Sequence, residues 1–395
     1  MSAPLPNGQL ATSLYIRAFQ FAFWGAVGFF FPFINVYYRT IGLSGTQIGL
    51  IGTLGALFAG LGAFAWGLIH DRLGKSRLVF TGICWGTILL TAVIPYLPSY
   101  STILIVVALL SVFSGPLVSQ TDSMTLKLLG AHPENYGSHR VWGTVGFVIT
   151  SALAGFLLEA TSIHSIFIAY PLGILVFWLV TLRLPDQIIR QGPSLVSGLG
   201  QMAQNPSWLL LMASVFVLWA GVLGGIGFLG VAMKDMGSSQ ANVGLVSTVA
   251  ALAEIPLLQS GPYILRRFGP NRLILAAMGI YVLRMVLYAS MVSPAMAITI
   301  SLLQSITYCP FLIGVVALAN QFAPNDLKST SQGLLGMIMS LANVVGGLAG
   351  GWLYDTTGQH GLFLACAGVA LFALVLFSAG TLRIRAMVAG ACSKL

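Results

Sequence analysis

Five ionisable side chains stand inside otherwise apolar stretches of this chain: Arg17, Asp122, Arg140, Glu254 and Arg284. An ionisable group within a membrane-spanning helix costs about 3 kcal/mol on insertion scales, so each must pair or line a watery cavity. Asp122 and Arg140 lie eighteen positions apart on either side of a short loop, a spacing that lets them pair across two antiparallel helices. Two readings stay open for them: a structural tie between those helices, or a cavity pair that binds substrate or gates its passage. In the second reading Arg140 matters as a planar fork for a carboxylate or ring, which Lys would not reproduce. Glu254, in Ala-Leu-Ala-Glu-Ile-Pro256, is the acid placed deep in the second half. A carboxyl held away from water can exchange a proton near neutral pH, so Glu254 is the candidate proton carrier, with Arg284 as partner or modulator. The alternative is a static Glu254–Arg284 pair. Arg17 either snorkels to the near interface or joins Gln20 and Trp24 in the cavity. Asn35, Gln120, Gln304 and Asn343 are polar enough to line a cavity, and Asn343 is counted with Arg140, Asp122, Arg17, Gln20 and Trp24 as substrate-binding.

Other chemistries find little support. His70, His132, His139, His164 and His360 lie in or near loops without HxxxH or HExxH spacing, and the in-span acids are far apart. No metal centre, catalytic constellation or cofactor is expected, and an intramembrane enzyme is disfavoured. No selectivity-loop repeat argues for a channel. Cys84, Cys309, Cys366 and Cys392 are singletons without CxxC spacing and read as small buried hydrophobes.

The elements that must position these residues are membrane helices. Of 395 residues, 57% are hydrophobic and 7% charged, and the mean hydropathy is +0.91. A water-facing surface needs about a quarter of its residues charged, so a soluble globular protein is excluded. Apolar runs fall at 13–38, 45–69, 77–97, 101–127, 139–159, 163–183, 208–233, 241–265, 272–291, 294–322, 329–353 and 360–382. A span needs roughly 20 residues, so these predict an all-α membrane protein with twelve transmembrane helices. The longest and most polar connection divides the chain into a six-helix bundle over 1–183, a cytoplasmic linker over 184–207, and a second six-helix bundle with a short cytoplasmic tail over 208–395.

The net charge of +9 comes from scattered Lys and Arg rather than a basic stripe, which argues against a nucleic-acid partner. Those residues report orientation. With a cytoplasmic N-terminus, the inner loops and tail hold Arg72, Lys75, Arg77, Lys127, Arg183, Arg190, Arg266, Arg267, Arg272, Lys328, Arg383, Arg385 and Lys394, and the outer loops only Arg39 and Lys234. That bias places both termini inside. Met1 to Thr12 carries no Lys, no Arg and no cleavage site, so the first span is expected to stay.

The halves echo each other. Gly67-Leu-Ile-His-Asp71-Arg72-Leu-Gly74-Lys75-Ser-Arg77 follows the second span, and Pro262-Tyr-Ile-Leu-Arg266-Arg267-Phe-Gly269-Pro-Asn-Arg272 follows the eighth in the same register. Leu153-Ala154-Gly155 and Leu348-Ala349-Gly350 likewise close the fifth and eleventh spans, an internal repeat of the kind transporters carry.

The first of these segments, GxxxDRxGKxR, resembles the signature loop of the major facilitator superfamily. Gly28-Phe-Phe-Phe-Pro32-Phe33 and Tyr136-Gly137-Ser-His139-Arg140-Val-Trp142-Gly143-Thr-Val-Gly146 resemble the branch containing lactose permease and the phenylpropionate and nucleoside proton symporters. The resemblance implies two pseudo-symmetric six-helix bundles and alternating access, with Gly67, Asp71, Arg72, Gly74, Lys75 and Arg77 as a cytoplasmic gating latch. It implies Arg140 as a substrate-contacting arginine, Asp122 as its acidic partner and Arg284 as an arginine of proton coupling. The permease's histidine and glutamate fall on Ser305 and Tyr308, and its seventh-span aspartates have no counterpart in Trp208 to Val231. Its coupling chemistry is therefore not transferable. The expected function is proton-coupled import of a small organic solute (an aromatic carboxylate such as 3-phenylpropionate, a sugar or a nucleoside), with proton-driven efflux of drugs or metabolites as the rival. The expected setting is a multi-pass monomer in the inner membrane, with the substrate, protons and the lipid bilayer as partners.

Overall fold

A computed structural model describes residues 7–130, 132, 135–183, 202, 204–324 and 327–392, leaving aside the side chains of 7–11, 71, 329 and 382–392. Most of the expected linker over 184–207 lies outside the described residues, as do the side chains of Asp71, Arg383 and Arg385.

The apolar runs become helices because a backbone surrounded by lipid must satisfy its own N–H and C=O groups. In the first half these are α1 (Asn7–Phe30), α2 (Ile34–Thr40), α3 (Gly45–Leu73), α4 (Ser76–Val93), α5 (Tyr100–Leu129), α6 (Tyr136–Ala160) and α7 (Ile166–Thr181). The second half contains α8 (Pro206–Ile226), α9 (Leu229–Asp235), α10 (Gln240–Gln259), α11 (Gly261–Phe268), α12 (Pro270–Ala289), α13 (Pro294–Ser301), α14 (Gln304–Phe322) and α15 (Lys328–Cys392). Local chemistry sets several starts. Ser99 accepts from the Thr102 N–H in a capping box ahead of α5, and the Asn205 side chain accepts from the Ser207 and Trp208 N–H groups ahead of α8.

Eleven described segments are long and apolar enough to cross a membrane, and the last, Thr330–Thr381, runs 52 residues. Gly358 breaks it with φ 67° and ψ −171°, which splits that segment into two spans and gives the twelve expected. The sequence repeat has a backbone counterpart. Gly74 after α3 and Gly269 after α11 both take positive φ, 62° and 73°, a conformation that glycine adopts without steric cost.

The described chain forms two compact units. The first comprises Met1–Leu43, Leu54–Arg190 and Gly230–Ile255; the second comprises Ser44–Thr53, Gln191–Leu229 and Pro256–Leu395. Each therefore includes a segment from the other sequence half. In the first unit, α1, α4 and α7 meet over an aromatic cluster. The Phe177 ring lies 5.1 Å from Phe19 and 5.3 Å from Phe23, and 6.0 Å from Phe80. In the second, α8, α12 and α14 meet where Trp219 stacks on Phe311 at 5.8 Å and Tyr281 meets Phe311 edge-on at 6.2 Å.

Phe177 is fully buried, so Phe177→Ala leaves a cavity and is expected to cost about 3 kcal/mol or more. A thiol-reactive dye, which reports unfolding as buried Cys84, Cys309 and Cys366 become accessible, measures this in detergent as a lowered melting midpoint.

Candidate functional site

The aromatic cluster orients α1. Phe19 and Phe23 pack into it, with Trp24 at its margin, and this turns Arg17, Gln20 and Trp24, at spacings of three and four residues, onto the adjoining face of the helix. On α6 the same periodicity aligns Tyr136, Arg140 and Gly143. The Arg140 guanidinium carbon lies 3.9 Å above the Trp24 ring, within cation–π range. Gly143 makes that stack possible. A Cβ there would sit 2.5 Å from the Trp24 ring and 2.9 Å from an Arg140 guanidinium nitrogen.

The third wall is α5. Gln20 Nε2 donates to Thr125 Oγ1 at 2.8 Å in a buried bond, and the Asp122 carboxyl faces Tyr136, Arg140 and Gln20. The expected Asp122–Arg140 partnership takes an indirect form: charge couples the two, and the Tyr136 hydroxyl interacts with both without a direct ion pair between them. Arg17 is half-buried, with its guanidinium 5.8 Å from the Trp142 ring centroid.

Five buried atoms in this cluster have no protein partner: Arg17 Nε, Gln20 Oε1, Trp24 Nε1, Thr121 Oγ1 and Asp122 Oδ1. Native proteins rarely leave buried polar groups unsatisfied, and where several gather, a polar ligand or water supplies the missing bonds. The two arginines against one carboxylate give the cluster a net positive balance.

The second unit holds a different arginine site. Arg284 is 2% exposed and donates to Gln304, to Thr307 Oγ1 at 3.3 Å and to the Tyr288 hydroxyl at 3.3 Å. These bonds join α12 to α14 through neutral partners, and Arg284 Nε has none. Glu254 belongs to the first unit, half-buried on α10 and with interactions of its own. Asn343 is exposed on α15. At the positions of the permease's histidine and glutamate, Ser305 hydrogen-bonds to the Leu302 carbonyl and Tyr308 packs 5.9 Å from Trp219.

In the signature loop Arg72, Lys75 and Arg77 are exposed, while Gly67 and Gly74 are half-buried. The fold adds His70, which reads in the sequence as a loop residue. It is 1% exposed, with Nδ1 3.1 Å from Gln120 Oε1 and Nε2 2.9 Å from Ser76 Oγ, so it ties the loop to α5 and α4. Tyr136, known from the sequence only as the first residue of the quoted motif, and Thr125 are likewise inconspicuous by type, because an uncharged hydroxyl in a span carries no conspicuous cost.

Residues 14–365 match the model of the MFS_1 like family. Among characterised proteins the chain is similar to the maltose permease of Geobacillus stearothermophilus, 26% identical over 367 residues that make up 91% of this chain and 90% of the permease. It is similar also to a probable 3-phenylpropionic acid transporter of Escherichia coli (strain K12), 25% identical over 376 residues, 93% of this chain and 97% of that protein. The crystal structure of the nucleoside transporter NupG superposes with a TM-score of 0.79 at 16% identity, over 94% of this chain and 99% of that one. This last likeness is one of fold.

Gly143→Val is expected to force Trp24 and Arg140 apart and cost about 1–3 kcal/mol. Combined with Trp24→Ala, which clears the space, the two losses should sum to less than additive in the thiol-dye melting assay.

Proposed function

This chain belongs to the MFS_1 like family of multi-pass membrane transporters of small solutes, not enzymes, and we propose that it imports a small ring-bearing organic anion together with protons. The observation that carries this reading is the Arg140 guanidinium stacked on Trp24 beside an Asp122 carboxyl whose Oδ1 has no protein partner. A guanidinium fork held flat by an aromatic face suits a carboxylate; Trp24 supplies that face, and Trp142 offers a second ring beside Arg17. An aromatic carboxylate such as 3-phenylpropionate meets both demands, and the similar Escherichia coli protein bears that name. A sugar is the second reading, favoured by the likeness to the maltose permease.

In the proposed cycle, a site between two six-helix bundles (1–183 and 208–395, joined by the linker 184–207) opens to each side in turn as the bundles rock. Asp122 takes up and releases a proton at the substrate pair, with Tyr136 linking it to Arg140. Glu254 serves as a second proton site and Arg284 modulates it, while Arg72, Lys75 and Arg77 latch the cytoplasmic face with Asp71. The positive-inside distribution supports cytoplasmic termini, and the bacterial relatives support a location in the inner membrane. The protein acts as a monomer in this reading.

Proteoliposomes with an imposed inward proton gradient, offered labelled 3-phenylpropionate, maltose or a nucleoside, test it. Accumulation of 3-phenylpropionate is expected, lost in Asp122→Asn and reduced about tenfold or more in Arg140→Lys, since the fork-to-carboxylate bonds carry about 1.5–3 kcal/mol. Maltose accumulation would select the second reading. Should nothing accumulate, the import reading fails, and reversing the gradient with a hydrophobic cation tests efflux. Persistence of gradient-driven uptake in Glu254→Gln would remove that residue from the coupling path.

A further inference from the structure

Two helix ends carry carboxylates that the proposed transport site does not use. Glu159 stands in the last turn of α6, and its Oε2 accepts from the Gln240 N–H at 2.7 Å, the first residue of α10. Asp355 stands three residues before the Gly358 break in α15. Its Oδ1 accepts from the Gly45 N–H at 2.6 Å, and its Oδ2 accepts from the Thr46 N–H at 2.7 Å and the Thr46 hydroxyl at 2.6 Å, at the start of α3. Each acid thus caps the first turn of a helix from the other sequence half, where N–H groups lack intrahelical partners and the helix dipole favours negative charge.

The caps are related by the internal repeat. Gly45 and Gln240 differ by 195 positions, the offset that also relates Gly74 to Gly269 and Gly155 to Gly350, and the two acids keep it to within one residue. Behind each cap runs a seam of small residues in close approach. A Cβ on Gly49 would come within 2.3 Å of the Gly347 carbonyl oxygen, and one on Gly244 within 2.5 Å of the Ser151 carbonyl oxygen. Thr53 Oγ1 donates to the Val344 carbonyl at 2.9 Å across the first seam, and Ser151 Oγ to the Gly244 carbonyl at 3.2 Å across the second. Close backbone packing holds each seam, and the exposed carboxylate at its end adds a charge–dipole contact that the seam must give up to open. The first unit has a further tie: Arg39 binds Asp235 bidentately, Nε to Oδ1 at 3.0 Å and Nη2 to Oδ2 at 2.9 Å, joining α2 to α9.

We propose that Glu159 and Asp355 are paired positioning residues for transport, two symmetry-related latches from a carboxylate to a helix start that set how much of the time this end of the transporter is closed. The inference rests on alternating access between the sequence halves and not on the identity of the substrate. It requires the latches to act together, because the rocking motion that breaks one seam breaks the other.

The test uses the full chain in proteoliposomes with Cys84, Cys309, Cys366 and Cys392 replaced by Ser, carrying one reporter thiol, either Ser151→Cys or Thr53→Cys, each buried in its seam. The readout is the labelling rate with a membrane-impermeant maleimide. Glu159→Gln or Asp355→Asn is expected to raise the rate about fivefold at its own seam and equally at the other, and the double variant about 25-fold, the size of a charge–dipole contact removed once and then twice. Acceleration confined to the mutated seam would make each cap a local structural contact and overturn the proposal, as would unchanged rates at both. If the double variant fails to fold, the cross-seam effect of the single variants decides. Loss of substrate uptake with normal latch behaviour would instead count against the proposed substrate reading alone.

Discussion

Everything in this molecule follows from the absence of water around its backbone. Each spanning segment must close its own hydrogen bonds, which makes it a helix, and each polar side chain must find a partner inside the protein. Helices in lipid gain no hydrophobic free energy from meeting one another, so close packing and a few polar bonds hold them together. The chain uses aromatic rings for the first purpose, as in the meeting of Phe19, Phe23, Phe80 and Phe177, and glycine seams where backbones touch. Polar residues are too costly to scatter. Their concentration on one side of α1 and the facing parts of α5 and α6 therefore marks where the protein departs from the cheapest sequence.

That departure is built in layers. The aromatic cluster turns α1, the turn presents Trp24, Trp24 supports Arg140, and Gly143 leaves the room for both. Arg140 is consequently held by a ring face rather than by a salt bridge. A direct pair with Asp122 would neutralise both groups and leave little for a ligand. With Tyr136 interacting with each, the arginine and the carboxyl stay coupled while atoms such as Asp122 Oδ1 and Trp24 Nε1 remain unpartnered, an arrangement suited to a solute that arrives and leaves.

The internal repeat is carried by the backbone more faithfully than by the polar chemistry. Gly74 and Gly269 keep their positive φ at equivalent places, and Glu159 and Asp355 cap equivalent helix starts. The charged groups have diverged. The first unit sets two arginines against Asp122, whereas Arg284 in the second is met by Gln304, Thr307 and Tyr288, all neutral. Helix closure and glycine turns are demanded by the membrane and by packing in both halves, whereas no such demand fixes the type of a buried polar side chain.

The sequence by itself determined the helical class, the spans and the repeat, because hydropathy and glycine placement are local properties that lipid reads directly. It also singled out Arg17, Asp122 and Arg140, since a charge inside an apolar run is conspicuous wherever the run ends up. The tertiary structure decided the partners. Whether Asp122 meets Arg140 directly or through Tyr136, and whether Arg284 bonds to an acid or to amide and hydroxyl groups, depends on helix rotation and on contacts between residues tens to hundreds of positions apart. The capping roles of Glu159 and Asp355 lay beyond sequence for the same reason: a carboxylate at a helix end looks like ordinary solvated surface until the start of another helix is brought against it.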